Sequence, residues 1–408
     1  MSSTAASGRT PVRTASNWNA AFWAYFAGVA GGAVMGKMPP SLPILQPLFG
    51  LTLVQTGWLA AMFNLIAASA AIFFGLVSDR IGALRFCLFG MGCFIVGGLA
   101  GAAAGMDTSS AVLLFASRVL EGLGFVSVTV AAPALIAAAT LPAHRGFALG
   151  AWSSYMPAGT SAMLVAGAWM ITALGWQSMW IATAILGAAC AAMLLSQSRE
   201  YASAVATRRS LADIRSSLSQ PVPWMLGAAF GMYTIQFHAV MVWLPTYLLG
   251  TRGASGAQAA LLTAGFVAVN VLGSVIGGVM LHRGWRRGHI IGGCFMLTSL
   301  LFIGMFTESL PDWLRYALML AYSVSCGPIA ASALSGGAKY ARTPAEAGAI
   351  QGLIVQLTNI GIFAGPPLSA TVVTLAGGWH AVLWVILGAA VVGLAMAWLI
   401  TLQERRAG

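Results

Sequence analysis

The sequence predicts an all-α membrane protein, with twelve transmembrane helices arranged as two pseudo-symmetric six-helix bundles, and three observations carry that prediction. The chain of 408 residues is 59% hydrophobic and only 7% charged, with a mean hydropathy of +0.85. A water-soluble globule of this length cannot hide so much apolar surface behind so few charges. Apolar runs of roughly 20 to 27 residues, long enough to cross a hydrocarbon core, recur between short polar breaks from Ala20 to Ile400. Finally, Gly75, Gly82 and Arg85 recur 202 positions later as Gly277, Gly284 and Arg287, so the chain reads as a duplication.

The elements follow in order. Residues 1–18 form a Ser/Thr/Ala-rich tail, and the apolar stretch behind it is far longer than a signal-peptide core, so it is expected to stay uncleaved. Spans are expected at 19–47, 53–77, 84–104, 110–138, 146–170 and 177–196, which make a first bundle over 19–196. A linker over 197–221 places Leu211, Ile214 and Leu218 at helical spacing among charges, which predicts an amphipathic helix on the membrane surface. The second bundle, 222–402, holds spans at 222–249, 257–281, 289–307, 312–336, 346–374 and 379–401, before a tail over 403–408. Thr52-x-x-Gln55, Ser255-x-x-Gln258 and Thr343-Pro344-x-Glu346 predict capping boxes that open spans two, eight and eleven. The echo continues: Leu42-Pro43 matches Leu244-Pro245, and Pro142, Ala143, Gly146 and Gly150 match Pro344, Ala345, Gly348 and Gly352. Parallel six-span repeats of this kind are related by an axis along the membrane normal.

Charge sets the topology. Arg9, Arg13, Arg80, Arg85, Arg145, Arg199, Arg208, Arg209, Arg215, Arg283, Arg286, Arg287, Lys339, Arg342, Arg405 and Arg406 fall in tails and turns on one side. The opposite turns hold Arg252 against Asp107, Glu308 and Asp312. By the positive-inside rule both termini are expected to be cytoplasmic, in a multi-pass protein of the cell (inner) membrane. The net charge of +11 is spread over these turns and forms no patch that could follow a phosphate backbone, which argues against nucleic acid. Cys87, Cys93, Cys190, Cys294 and Cys326 lie at or within spans without CxxC spacing or a nearby His cluster, and read as small buried hydrophobes, not metal ligands. Gly253-Ala254-Ser255-Gly256 matches the GxSG string of intramembrane serine proteases. Ser255 sits at the water's edge with no base at its depth, so an enzyme is not expected.

Charges inside spans are costly and demand a reason. Lys37 lies in span one, Arg118 and Glu121 in span four, His238 in span seven and Arg315 in span ten. Every third helix carries one, which predicts a central cavity lined by spans one, four, seven and ten. Arg118 and Glu121, three residues apart, can neutralise each other on one face, and Glu121 can also meet Lys37 across the bundle. Arg315, three residues after Asp312, reads as a rim residue paired along its own helix. Tyr155, Tyr233, Gln236, Gln356 and Asn359, with Asn64, Trp152 and Asn270, are further candidates for the cavity wall. The Gly28, Gly32, Gly36 ladder reads as close helix packing.

With these residues in view, the chain resembles the major facilitator superfamily over its whole length. Gly75 to Arg85 resembles that family's signature turn between spans two and three, and Arg118-Val119-Leu120-Glu121-Gly122-Leu123-Gly124 resembles its span-four arginine motif. More loosely, the chain is similar to the cyanate and nitroimidazole permease-like members. The resemblance implies a gate at the cytoplasmic end built from Gly75, Asp79, Arg80, Gly82 and Arg85, with Gly277, Arg283, Gly284 and Arg287 in the second copy. It also implies that Asp79 helps to close that end against spans four and eleven, where the amino end of span eleven favours an anion. The second copy has Leu281 in place of the acid, so the gate is expected to be asymmetric. The family's GxxxGP antiporter string is absent from span five, where Tyr155-Met156-Pro157-Ala158-Gly159 stands, and occurs as Gly361 to Pro366 in span eleven.

Together these features predict a secondary active transporter that works by alternating access, coupled to protons, with a small organic anion as substrate. Lys37 and Arg118 outnumber Glu121, and with Tyr155, Tyr233, Gln236, His238, Gln356 and Asn359 they are the expected substrate residues. Glu121, with His238 as its competitor, is the expected proton carrier. An exporter of amphipathic compounds and a membrane sensor without transport are the alternatives. The expected partners are substrate, protons and the lipid bilayer around a monomer; no cofactor or metal is implied.

Overall fold

The computed structural model describes residues 15–105, 110–202, 211–307 and 309–407. Arg9, Arg13, Asp107, Arg208, Arg209 and Glu308, which entered the charge asymmetry, lie outside them. The described residues form sixteen α-helices and no strand. Span one is α1 (Trp18–Gly36) continued by α2 (Met38–Leu48), and span two is α3 (Leu53–Ala61) joined through a 3₁₀ turn at Met62–Asn64 to α4 (Leu65–Ile81). Then come α5 (Ala83–Ala103), α6 (Ala111–Ala139), span five as α7 (Pro142–Trp152) and α8 (Tyr155–Leu174), and α9 (Gln177–Ser196). The short α10 (Leu211–Ser219) follows in the linker. The second half is α11 (Pro221–Arg252), α12 (Gly256–His282), α13 (Arg287–Met305), α14 (Asp312–Tyr340), α15 (Pro344–Ala376) and α16 (Val382–Ala407).

Among the described residues eleven helices are long and apolar enough to cross a membrane, against twelve expected spans. The difference is span one, whose α1 is long enough at 19 residues but is made less apolar by Asn19, Tyr25 and its glycines, and which breaks at Lys37. Pro39 and Pro40 have no amide hydrogen to give the carbonyls of Met35 and Gly36, so the α1 ladder cannot run through them.

The duplication is visible in the backbone. Six described glycines have positive φ: Gly50, Gly82, Gly175, Gly253, Gly284 and Gly377. They pair as 50 with 253, 82 with 284 and 175 with 377, so each left-handed turn of one half recurs in the other. Thr52 and Ser255 both close full capping boxes, with Gln55 and Gln258. Packing repeats as well: α5 lies on α6 and α9 as α13 lies on α14 and α16, and α1 lies on α8 as α11 lies on α15.

The halves meet where α3 and α4 pack on α15, α8 on α12, and α2 on α11. The ladder on α1 is a close approach: a Cβ at Gly32 would stand 2.7 Å from the Met156 carbonyl oxygen, and one at Gly36 2.6 Å from that of Thr160. The linker helix does not lie only on the surface. Its Ile214 is buried against Ile72 of α4 and Ala349 and Leu353 of α15, across the seam between the halves.

Candidate substrate site

The break at Lys37 puts its ammonium into the first bundle, where it is 0% exposed. Lys37 Nζ donates to Glu121 Oε1 and, at 3.0 Å, to Thr183 Oγ1 of α9. Arg118 and Glu121 share a face of α6, and Arg118 Nη1 donates to Glu121 Oε2 and to the Val34 carbonyl at 3.3 Å. One buried carboxylate thus bridges two buried cations. The aromatic faces of Trp180, 4.6 Å from Lys37 Nζ, and Phe63, 4.7 Å from the Arg118 guanidinium carbon, complete their surroundings. Glycines of α5 make the room: a Cβ at Gly97 would lie 2.6 Å from Glu121 Cγ, and one at Gly101 2.3 Å from the Trp180 ring. Trp180 and Thr183 escaped the sequence reading because span six carries no charge; a Thr three residues from a Trp was the available signal.

Beside this cluster, between the halves, lies a gap of only about 10 Å³, lined by Met35, Pro39, Asn64, Arg118, His238 and Ile362 among others. That is about the space of a single water, so the two halves are closed on one another here. His238 Nδ1 donates to the Thr234 carbonyl at 3.0 Å, which leaves Nε2 as the acceptor in a neutral ring. His238 Nε2, Arg118 Nε and Asn64 Oδ1 are all buried without a hydrogen-bond partner, and their residues all line this gap. Buried polar atoms are nearly always paired, so three orphans at one point mark a place built for something else.

The other expected wall residues are spread more widely. Tyr155 stacks on Trp152, with ring centroids 4.2 Å apart, beside Gly28 of α1. Tyr233 donates to Asn270 Oδ1 at 3.3 Å inside the second bundle, and Gln236 Nε2 donates to the Ile386 carbonyl of α16 at 2.7 Å, away from the gap. Gln356 spans the seam, accepting from the Ile72 amide and donating to the Ser69 carbonyl, both at 3.2 Å. Asn359 donates to the Val355 carbonyl of its own helix. Span ten does not reach the gap. Its Arg315 lines a separate cavity, and Asp312, the partner expected for Arg315, pairs instead with Arg252 at 3.5 Å.

A sequence model of the Major Facilitator Superfamily matches residues 21–366, most of the chain and both bundles. The chain belongs to this superfamily. Its fold agrees with the crystal structure of a D-xylose-proton symporter, with a TM-score of 0.72 over 94% of this chain and 97% of that one, at 16% identity. A Bacillus subtilis (strain 168) protein named as a niacin/nicotinamide transporter, NiaP, is 26% identical over 198 residues, 47% of this chain and 48% of its own. A Cupriavidus pinatubonensis protein named as a 4-methylmuconolactone transporter is 27% identical over 250 residues, 58% of this chain and 57% of its own. The matched stretch thus spans about half the length of each of these relatives.

The turn that resembles the superfamily's signature reverses at Gly82 between α4 and α5, at φ 93°. Gly75 is buried, Asp79 half-buried, and Arg80 and Arg85 exposed. In the second copy Gly277 packs on α14, where a Cβ would lie 2.5 Å from Pro328 Cα, and Arg283 is exposed. Arg287 reaches Ser335 Oγ at 3.4 Å, while the Glu404 carboxylate accepts from the Arg287 and Gly288 amides, both at 3.3 Å, at the amino end of α13. At the amino end of α15, Glu346 accepts from the Arg342 amide at 2.7 Å and from Ser216 Oγ at 2.7 Å. Thr343 caps as expected, but the expected box does not close: the Glu346 side chain turns to the Arg342 amide and to Ser216 and Gln220, and fastens the linker to α15.

Proposed function

We propose that this multi-pass membrane protein is a secondary active transporter of a small organic anion, coupled to protons and working by alternating access about the seam between its halves. The observation that carries the reading is the buried Lys37–Glu121–Arg118 cluster beside a gap onto which polar groups of both halves converge. The cluster holds two cations to one anion. A substrate carboxylate that takes Arg118 from Glu121 would leave two carboxylates among two cations and lose the net positive charge that the site now carries. A proton on Glu121 restores it, so anion and proton enter together and the charge buried in the membrane stays constant. Discrete helix breaks beside the site, at Lys37 and at Met62–Asn64, suit a midplane binding site. Niacin, one of the two compounds in the first relative's name, is a small aromatic carboxylate and 4-methylmuconolactone a lactone bearing a carboxylate, which supports the anion class. Nicotinamide, the other compound in that name, is a neutral carboxamide, so the test sets each acid beside its amide. In this reading the protein acts as a monomer in the cell membrane, with its arginine-rich end and both termini in the cytoplasm.

The test is uptake into proteoliposomes of radiolabelled nicotinate and a panel of small aromatic carboxylates, each beside its carboxamide. An acid-outside gradient drives accumulation of the carboxylate that is the substrate. The near-isosteric Glu121→Gln abolishes that accumulation but retains exchange of internal for external substrate, which moves no net proton. If Glu121→Gln still concentrates substrate and His238→Ala does not, the proton belongs to His238. Preference for carboxamides would overturn the anion reading.

A further inference from the structure

The second half holds a cavity of about 640 Å³ between α11, α12, α13, α14 and α16, well within the usual size of small-molecule sites, about 300 to 1,000 Å³. Its walls are mostly apolar, with aromatic rings from Trp243, Tyr247, Phe302, Phe306, Trp313 and Trp379. Into this apolar box comes Arg315, only 9% exposed, with Nε and Nη1 buried and without a hydrogen-bond partner. Most of the other polar groups of the lining are already engaged. Arg252 pairs with Asp312 at 3.5 Å and donates to Tyr247 Oη at 3.1 Å. Trp243 Nε1 donates to the Pro366 carbonyl, Tyr316 Oη to the Leu262 carbonyl, and Gln258 belongs to the cap of α12. Counting Arg252 and Asp312 as neutral together, the lining carries one positive charge. An isolated guanidinium at low dielectric is costly unless something completes it.

We infer that this cavity is a second binding site, for an amphipathic monoanion whose charged head pairs with Arg315 and whose apolar body lies among the tryptophans. A guanidinium takes a carboxylate or phosphate through charge-assisted hydrogen bonds, and the apolar and aromatic walls suit a ring or an acyl chain. A dianion would leave one charge unmatched, and a neutral ligand would leave Arg315 uncompensated. The site is separate from the central cluster: His238, Met241 and Val242 of α11 face the gap, while Ala239, Val240 and Trp243 face this cavity. The inference does not depend on the central anion reading, and the two can fail independently.

The probe is radiolabelled 2-naphthoate, with 2-naphthamide as its neutral twin, bound to the full-length protein in phosphatidylcholine nanodiscs. The wild type binds naphthoate saturably, Arg315→Leu weakens it at least tenfold, and Arg315→Lys recovers part of the loss. Naphthamide binds weakly and alike to wild type and Arg315→Leu, and the Arg315-dependent part of naphthoate binding persists in Lys37→Ala, which disables only the central cluster, where an aromatic carboxylate is also expected to bind. Arg315→Leu removes an unpaired buried charge, so it melts no lower than the wild type. Two sources of such an anion are told apart by adding phosphatidylglycerol to the nanodiscs: displacement of naphthoate assigns the site to a lipid headgroup and chain, and undisturbed binding to a solute. Unchanged naphthoate binding in Arg315→Leu overturns the site, as do equal losses of both probes, or loss of the Arg315-dependent part in Lys37→Ala.

Discussion

The two halves share turns, caps and packing, yet they differ in the middle of the membrane. In the first half, spans one, two and five are interrupted, at Lys37, at Met62–Asn64 and at Ser153–Ser154; their counterparts α11, α12 and α15 run unbroken for 32, 27 and 33 residues. The charges differ in the same way. At the repeat spacing of 202, Lys37 falls on Ala239, Arg118 on Leu320 and Glu121 on Ser323, a buried Ser that donates to the Phe266 carbonyl. The second half buries His238 at the gap and Arg315 one turn inside the amino end of α14 instead, neither with an ionic partner among the described residues. The duplication has therefore kept what folds a six-helix bundle and has let the midplane diverge. Paired charge and broken helices went to one half, and uninterrupted helices with an apolar cavity among them to the other.

The largest effect expected from this contrast is on stability. Glu121→Leu leaves Lys37 and Arg118 buried together with no anion, and breaking a buried pair in this way costs about 3–5 kcal/mol. His238→Leu removes a neutral ring with one hydrogen bond, for a loss of about 0.5–1.5 kcal/mol. Denaturant titration of both variants in the same detergent measures the ratio. Equal losses would mean that the central charge cluster is no more structural than the lone histidine, and the contrast between the halves would fall.

What could be read from sequence divides along the same line. Turns and caps were legible because Gly82, Gly284, Thr52 and Ser255 act locally, through φ and first-turn hydrogen bonds that need no partner helix. The proximity of Lys37, Arg118 and Glu121 was legible because charges in a span are rare enough to imply one another. Rotation of the helices was not. In a span that is apolar all round, lipid-facing and core-facing sides look alike, so nothing in the sequence turned Gln236 toward α16 while its neighbour His238 faced the gap. The Pro39-Pro40 pair did announce a break, but the apolar run continued past it and span one read as a single helix. The cavity around Arg315 was hidden for a related reason: Asp312 stood at the right spacing to neutralise it, and the competing partner, Arg252, lies on another helix.

A second comparison concerns the two turn motifs, where the first copy has Asp79 and the second Leu281. If the gate is asymmetric, Asp79→Asn lowers initial transport rates about tenfold while leaving the amount of folded protein in the membrane unchanged. Leu281→Asn leaves the rate within about twofold. Cysteine labelling from the side opposite the signature turn follows the same order, because loss of the Asp79 contacts depopulates the state closed at the arginine-rich end. Wild-type transport by Asp79→Asn removes Asp79 from the gate.

The smallest expected effect is the one on which the halves should agree. Gly82 and Gly284 hold φ at 93° and 82°, and a Cβ added at either meets nothing within 4 Å. Alanine there suffers no collision, only the strain of a backbone region that side chains avoid, about 1–3 kcal/mol. Gly82→Ala and Gly284→Ala should therefore lower stability by the same amount, within about 0.5 kcal/mol, and the double variant by the sum, since the turns are remote from each other. Denaturant titration of the three variants checks it. A clearly larger loss at Gly82 would show that the first turn also bears contacts belonging to the gate. The asymmetry of the midplane would then extend to the turns, and the division between a conserved scaffold and a diverged centre would need redrawing.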